Sequence, residues 1–201
     1  MRLCKPFRVL LATAALLAGA VAPAAADPHP APPAGRTVSA PGHGALDPVV
    51  RLAARRVLVS DQVAAAKWGT SAPIDDPARE RQVLDGAAAE AVRLGADPAV
   101  TRRIFRDQIE ASKVVQRGLY RRWTADPRTV PPVRPDLAAV RAELNELGDR
   151  LVHAIAGTAT ARAARSCPAH LGLEYLEVGR ELHLDALHRA ALARALPSVC
   201  G

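Results

Sequence analysis

The sequence predicts an all-α protein: a single helical-bundle domain of about five to six helices with one C-terminal disulfide, Cys167 to Cys200. Three observations predict it. Asp-Pro pairs recur at Asp47-Pro48, Asp76-Pro77 and Asp97-Pro98, each setting a capping carboxylate ahead of a proline suited to the first helical position. Strand signals are absent throughout. The 201 residues are 49% hydrophobic and only 3% aromatic, with 27 Lys+Arg against 20 Asp+Glu, which excludes a wholly disordered or collagen-like chain.

Taken in order, residues 1–26 have a basic start (Arg2, Lys5, Arg8), a largely apolar run from Val9 to Ala22 and small residues at Ala24 and Ala26. This is the layout of a secretory signal peptide, with cleavage expected after Ala26. The run is shorter than the roughly 20 residues a helix needs to span a bilayer, so a retained anchor is the weaker reading. Removing those three cations reduces the net charge of +7 to +4. Export also bears on the cysteines. Cys4 leaves with the signal, and two thiols in an oxidising compartment suggest one disulfide, against the alternative of two separate buried thiols. Residues 27–45, with Pro28, Pro30, Pro32, Pro33 and Pro41, cannot bury a core and read as a flexible Pro/Ala-rich leader.

The first helix is predicted from Pro48 to about Trp68. A second runs from Pro77 to Leu94 with Gly95 as its stop, and a third from Pro98 to about Trp123. Residues 126–135, with four prolines, form an extended connector. Asp136 then caps a fourth helix whose Leu137, Val140, Leu144, Leu147 and Leu151 mark a buried stripe. Past Cys167 a further helical stretch reaches about Leu196, with a break expected near Gly179.

Arg56 and Lys67 lie three turns apart on one helix face, separated there only by Ser60 and Val63, with no carboxylate at helical spacing. Taken by themselves, they are better read as two long side chains reaching solvent past an apolar surface. Arg79 sits in the first turn of the second helix, where exposed N–H groups favour an anion rather than a cation. Either a binding task or a surface ion pair with Glu80 or Asp76 explains that placement. Ser112 and Gln116 are one turn apart on the third helix and by themselves specify nothing. His183 and His188 are five apart and His153 and His170 have no acidic partners in pattern, so no metal site is read and the histidines are taken as solvated or core.

The ordered set Arg56, Lys67, Asp76-Pro77-Ala78-Arg79-Glu80, Ser112 and Gln116 resembles the active-site pattern of the all-helical chorismate mutases. Val63-Ala64-Ala65-Ala66-Lys67-Trp68, followed by Pro73-Ile74-Asp75-Asp76, is similar to the exported subclass in particular, and the likeness extends over residues 46–200. Exported members carry a further arginine on the helix after a proline-rich connector, where Arg141 stands, and a C-terminal disulfide whose spacing Cys167 and Cys200 match.

The resemblance implies an isomerase of residues 46–201 that turns chorismate into prephenate, needs no cofactor and works in a secreted or periplasmic location. It implies that Lys67 and Gln116 donate to the ether oxygen. Arg56, Arg79 and Arg141, helped by Ser112, would hold the two carboxylates; Glu80 and the backbone at Asp76 would receive the ring hydroxyl. Some members carry Glu in place of Gln116, which must be protonated to donate. In cytoplasmic relatives one arginine crosses a dimer interface; Arg141 lies in the same chain, so a homodimer would hold a complete site in each protomer. The rival reading is a non-catalytic exported helical module that captures an acidic metabolite or partner. Nucleic acid is disfavoured because +4 over about 175 residues is modest and no aromatics interleave the cations to stack bases. Membrane-surface binding after signal cleavage is equally unsupported.

Overall fold

The computed structural model describes residues 44–201. The signal segment and the leader up to residue 43 lie outside the described residues. The chain is helical throughout that range, with no strand among the described residues. The elements are α1 (Asp47–Lys67), α2 (Pro77–Arg93), α3 (Pro98–Ala125), a 3-10 turn (Pro127–Thr129), α4 (Leu137–Gly157), α5 (Ala159–Ala163), α6 (Cys167–Glu181) and α7 (Ala186–Ala195).

α1 is the central post. It packs on α3, α4, α6 and α7, and it is buried nearly all round because Ala53, Ala54, Ala64, Ala65 and Ala66 let neighbours approach while Val49, Val50, Val57 and Val63 fill the gaps. α3, about 42 Å long at 1.5 Å per residue, backs α1 on one side and carries α2 and α7. α4 closes the other side with Leu147, Leu151, Val152 and Ile155. Leu151 and Ile155 are fully buried, and truncating either to Ala would cost about 2–5 kcal/mol. A small second cluster joins Leu46, Ala161 and Cys167, and the Cys167–Cys200 disulfide, with Cα atoms 5.8 Å apart, lies against it.

Asp76, Asp97 and Asp136 cap α2, α3 and α4 through their side chains, accepting from Arg79, from Ala99 and Val100, and from Ala138. Asp47 does not cap. The chain already turns at Gly44, whose φ is +88°, and buried Leu46 takes the N-cap position. Asp47 instead pairs with Arg51 one turn on. The Gly44 N–H donates to Glu174 Oε1 at 2.8 Å, tying the start of the described chain to α6. Gly95 stops α2 as expected, with φ +68° and the Ala96 N–H returning to the Ala91 carbonyl. The connector is less extended than expected, because Asp126 caps the 3-10 turn inside it.

The C-terminal third departs most. It breaks into three helices, giving seven among the described residues where five to six were expected. The break does not fall at Gly179, which is buried inside α6; it falls at His183, whose φ is +52°. The His183 and Leu184 N–H groups return to the carbonyls of Arg180 and Gly179, and Asp185 then caps α7. His188, expected to be a solvated or core residue, sits buried between Asp61 of α1 (2.9 Å) and Asp185 (2.7 Å). Among the described residues no helix is long and apolar enough to cross a membrane.

Candidate active site

One cavity of about 600 Å³ opens where the C-terminal half of α1, the start of α2, the middle of α3 and the start of α4 meet. Arg56, Lys67, Asp76, Arg79, Glu80, Ser112, Gln116 and Arg141 all line it. The helical spacing explains the convergence: Arg56, Ser60, Val63 and Lys67 form one face of α1, while Ser112 and Gln116 share a face of α3 with Phe105 and Ile109.

Arg56 is held deepest. Its Nη1 donates to the Leu144 carbonyl at 2.7 Å, and the guanidinium lies 5.4 Å from the centroid of the Phe105 ring. Burial, and then the charge of Arg79, pulls its pKa down to about 10. Gly148 on α4 makes this seat possible: a Cβ there would stand 3.3 Å from Arg56 Nη1 and 3.6 Å from Phe105. Arg56 Nε has no hydrogen-bond partner among the described residues.

Lys67 ends α1, where the helix dipole favours a cation. Its Nζ donates to the Pro73 carbonyl at 2.7 Å, across a loop that turns at Gly69 with φ +69°. Burial first, and then the charge of Arg141, holds its pKa below the usual amine value, against the opposing pull of Asp76, Asp75 and Glu80. Arg79 donates to Gln82 Oε1 at 2.7 Å and Asn145 Oδ1 at 2.8 Å, and shows neither of the surface pairings considered for it. Its pKa is also lowered, by burial and then by Arg141. Arg141 Nη2 stands 3.8 Å from Asp76 Oδ2, the only carboxylate paired with it among the described contacts.

Thus the side-chain hydrogen bonds of Arg56, Lys67 and Arg79 among the described residues go to neutral oxygens. Oriented, incompletely neutralised cations in a partly closed cavity make a strongly positive potential there. Opposite them a chain of hydrogen bonds runs Ser60 Oγ to Ser112 Oγ (2.9 Å) and Gln116 Nε2 to Ser112 Oγ (3.0 Å). Gln116 is buried with its Oε1 unpartnered among the described residues. Turning the amide over exchanges its two ends, so that Ser112 donates to Oε1 and Nε2 becomes the end with a donor to spare. Glu80 is held from outside, by Lys113 Nζ at 2.9 Å and Arg106 Nη1 at 3.3 Å.

Several lining residues were not singled out from the sequence. Asn145 and Gln82 fix Arg79, Ser60 links the α1 and α3 faces, and Lys113 holds Glu80. Asn145 stands one turn after Arg141 and Lys113 beside Ser112, so adjacency to a singled-out residue was the available signal. The set suits a small solute with two carboxylates and an ether or hydroxyl oxygen between them.

Comparison with known proteins gives the family. The family model for chorismate mutase type II matches residues 47–117. The secreted chorismate mutase of Mycobacterium tuberculosis is 34% identical, with 98% of this chain and 96% of that protein covered. The secreted chorismate mutase of Mycolicibacterium smegmatis is 33% identical over 77% of this chain and 86% of its own length. A crystal structure of chorismate mutase from Burkholderia phymatum superposes with a TM-score of 0.75 at 35% identity, covering 79% of this chain and 98% of that one. This chain belongs to the exported, all-helical chorismate mutases.

Proposed function

We propose that the cavity converts chorismate to prephenate, outside the cytoplasm. The observation that carries this reading is the gathering of Arg56, Lys67, Arg79 and Arg141 with Gln116 and Ser112 on one cavity, three of the four cations bonded to neutral oxygens only. The reaction is an internal rearrangement: the ether C–O bond breaks as the methylene carbon of the enolpyruvyl arm bonds to the ring, so atoms and electrons balance without a co-reactant. The protein's contribution is order and charge. Arg56, Arg79 and Arg141 clamp the two carboxylates so that the reacting carbons meet, and Lys67 and Gln116 donate to the ether oxygen as negative charge develops on it. Glu80 and the backbone at Asp76 take the ring hydroxyl.

Mixing the purified protein with chorismate is expected to consume its absorbance and yield prephenate. Lys67→Ala is expected to lower kcat by about 10²–10³ or more while the far-ultraviolet circular dichroism is unchanged. Binding of chorismate without turnover by the unaltered protein would favour the capture module instead. All eight residues come from one chain, which supports a complete site in each protomer of a homodimer. Turnover per chain should then be unchanged by dilution through any dimer dissociation.

A further inference from the structure

Lys113 is a buried cation that the rearrangement as derived above does not use. It follows Ser112 on α3, is 8% exposed, and lines the cavity together with Glu80. Its ammonium meets three carboxylates: Glu80 Oε1 at 2.9 Å, Glu110 Oε1 at 2.9 Å and Asp75 Oδ1 at 3.2 Å. Three N–H donors thus face three acceptors, one from its own helix, one from the α1–α2 loop and one from the first turn of α2.

Glu80 needs such a partner. It is an acid mostly buried beside a cationic cavity, close enough for its charge to act on Lys67. Left to itself, the carboxylate would be drawn toward the cations that a dianionic ligand must reach. It would also be repelled by Asp75 and Glu110 on its other side. Lys113 answers both, drawing Glu80 Oε1 toward α3, while Arg106 touches the other oxygen at 3.3 Å. A carboxylate has about four acceptor positions, so two remain to receive an O–H from the cavity.

We propose that Lys113 is a positioning residue: it holds the Glu80 carboxylate at the cavity wall, oriented to accept the ring hydroxyl of the substrate and kept away from the carboxylate-binding cations. This rests on the proposed chorismate activity. Burial works against the Lys113 charge, but the hydrogen bonds to Glu80, Glu110 and Asp75 outweigh it and raise its pKa above the ordinary amine value, so the clamp persists across the pH range of any assay.

The test compares chorismate with an analogue in which hydrogen replaces the ring hydroxyl, in the unaltered protein, Lys113→Met, Lys113→Arg, Glu80→Gln and the Lys113→Met/Glu80→Gln pair. Lys113→Met is expected to lower kcat/KM for chorismate by about ten- to a hundredfold while changing turnover of the analogue less than about threefold. In the Glu80→Gln background it should cost almost nothing further, because its effect passes through Glu80. Lys113→Arg, which keeps a cation at the position, is expected to recover most of the loss. Equal losses on both substrates, losses that add in the double variant, or a folded Lys113→Arg as impaired as Lys113→Met would overturn the proposal. Should Lys113→Met not fold, Lys113→Gln takes its place in the same cycle. Failure of the unaltered protein to rearrange chorismate would sink the proposed function itself; normal turnover in Lys113→Met would sink only the clamp.

Discussion

Gln116 is where one atom decides the pH behaviour of the site. Its amide is buried with Nε2 on Ser112 and Oε1 unpartnered, and in either orientation an amide keeps a donor at every pH. A glutamate there could donate to the ether oxygen only when protonated. Gln116→Glu is therefore expected to be at least about tenfold slower at pH 8 than at pH 5, given an ordinary carboxyl pKa near 4.3; initial rates at the two pH values check it, and equal rates would refute the donor role. On the alkaline side the proposed donation by Lys67 sets the limit. Its pKa lies below the usual amine value, chiefly through burial, so the ammonium that donates is lost at lower pH than a free lysine would lose it. Activity should fall with rising pH before that of an exposed amine would, and Lys67→Arg, whatever its residual rate, should lack that limb. The residues of this site were legible because their order along the chain repeats a family pattern. Lys113 and Asn145 were not, since each acts on a side chain from another helix and nothing local marks them.

At the level of helices, legibility followed locality. Asp76, Asp97 and Asp136 cap their helices by bonds reaching only two or three residues, so the signal is contained in the sequence that shows it. The break after α6 was expected near Gly179 and falls a turn later because a histidine, not a glycine, takes the left-handed position at residue 183, where α7 docks on α3 and α1. His188 is the polar pin of that docking. Its Nε2 meets Asp61 of α1 and its Nδ1 meets Asp185, which Arg122 of α3 approaches to 4.0 Å. The hydrogen bond to Asp61, aided by that to Asp185, raises its pKa to about 9 from an ordinary 6.5. A raised folded-state pKa contributes stability that is fully present below pH 6.5 and is lost as the pH climbs through about 9, because the unfolded chain gives up the proton first. Urea midpoints measured from pH 6 to 9.5 should therefore fall across that window. His188→Gln should start about 2 kcal/mol lower, the scale of hydrogen bonds to charged groups, and stay nearly flat. A variant that keeps the slope would assign it to another group.

Across the whole molecule the site and the fold pull in opposite directions. The core of α1, α3 and α4 and the disulfide that closes the C-terminal segment hold the bundle; in the chain-entropy model the disulfide contributes roughly 4 kcal/mol. Against this, the cavity keeps Arg56, Lys67 and Arg79 partly dehydrated and mutually repelling, which is why burial and a neighbouring arginine lower the pKa of each. A dianion relieves both costs. Saturation with prephenate at a hundredfold excess over Kd should stabilise the fold by about 2.7 kcal/mol, a rise in Tm of about 5–10 °C for a domain of this size. Arg79→Gln separates this from ordinary ligand linkage. It removes a repelling charge from the empty cavity while leaving an amide able to meet Gln82 or Asn145, so the free variant should melt at or above the temperature of the unaltered protein. The same change should shrink the prephenate-induced shift at the same ligand concentration to a degree or two, because one of the proposed carboxylate clamps is gone. A free variant that melts several degrees lower, together with an undiminished shift, would mean that the cations are structural supports and not a stored electrostatic cost released by the ligand.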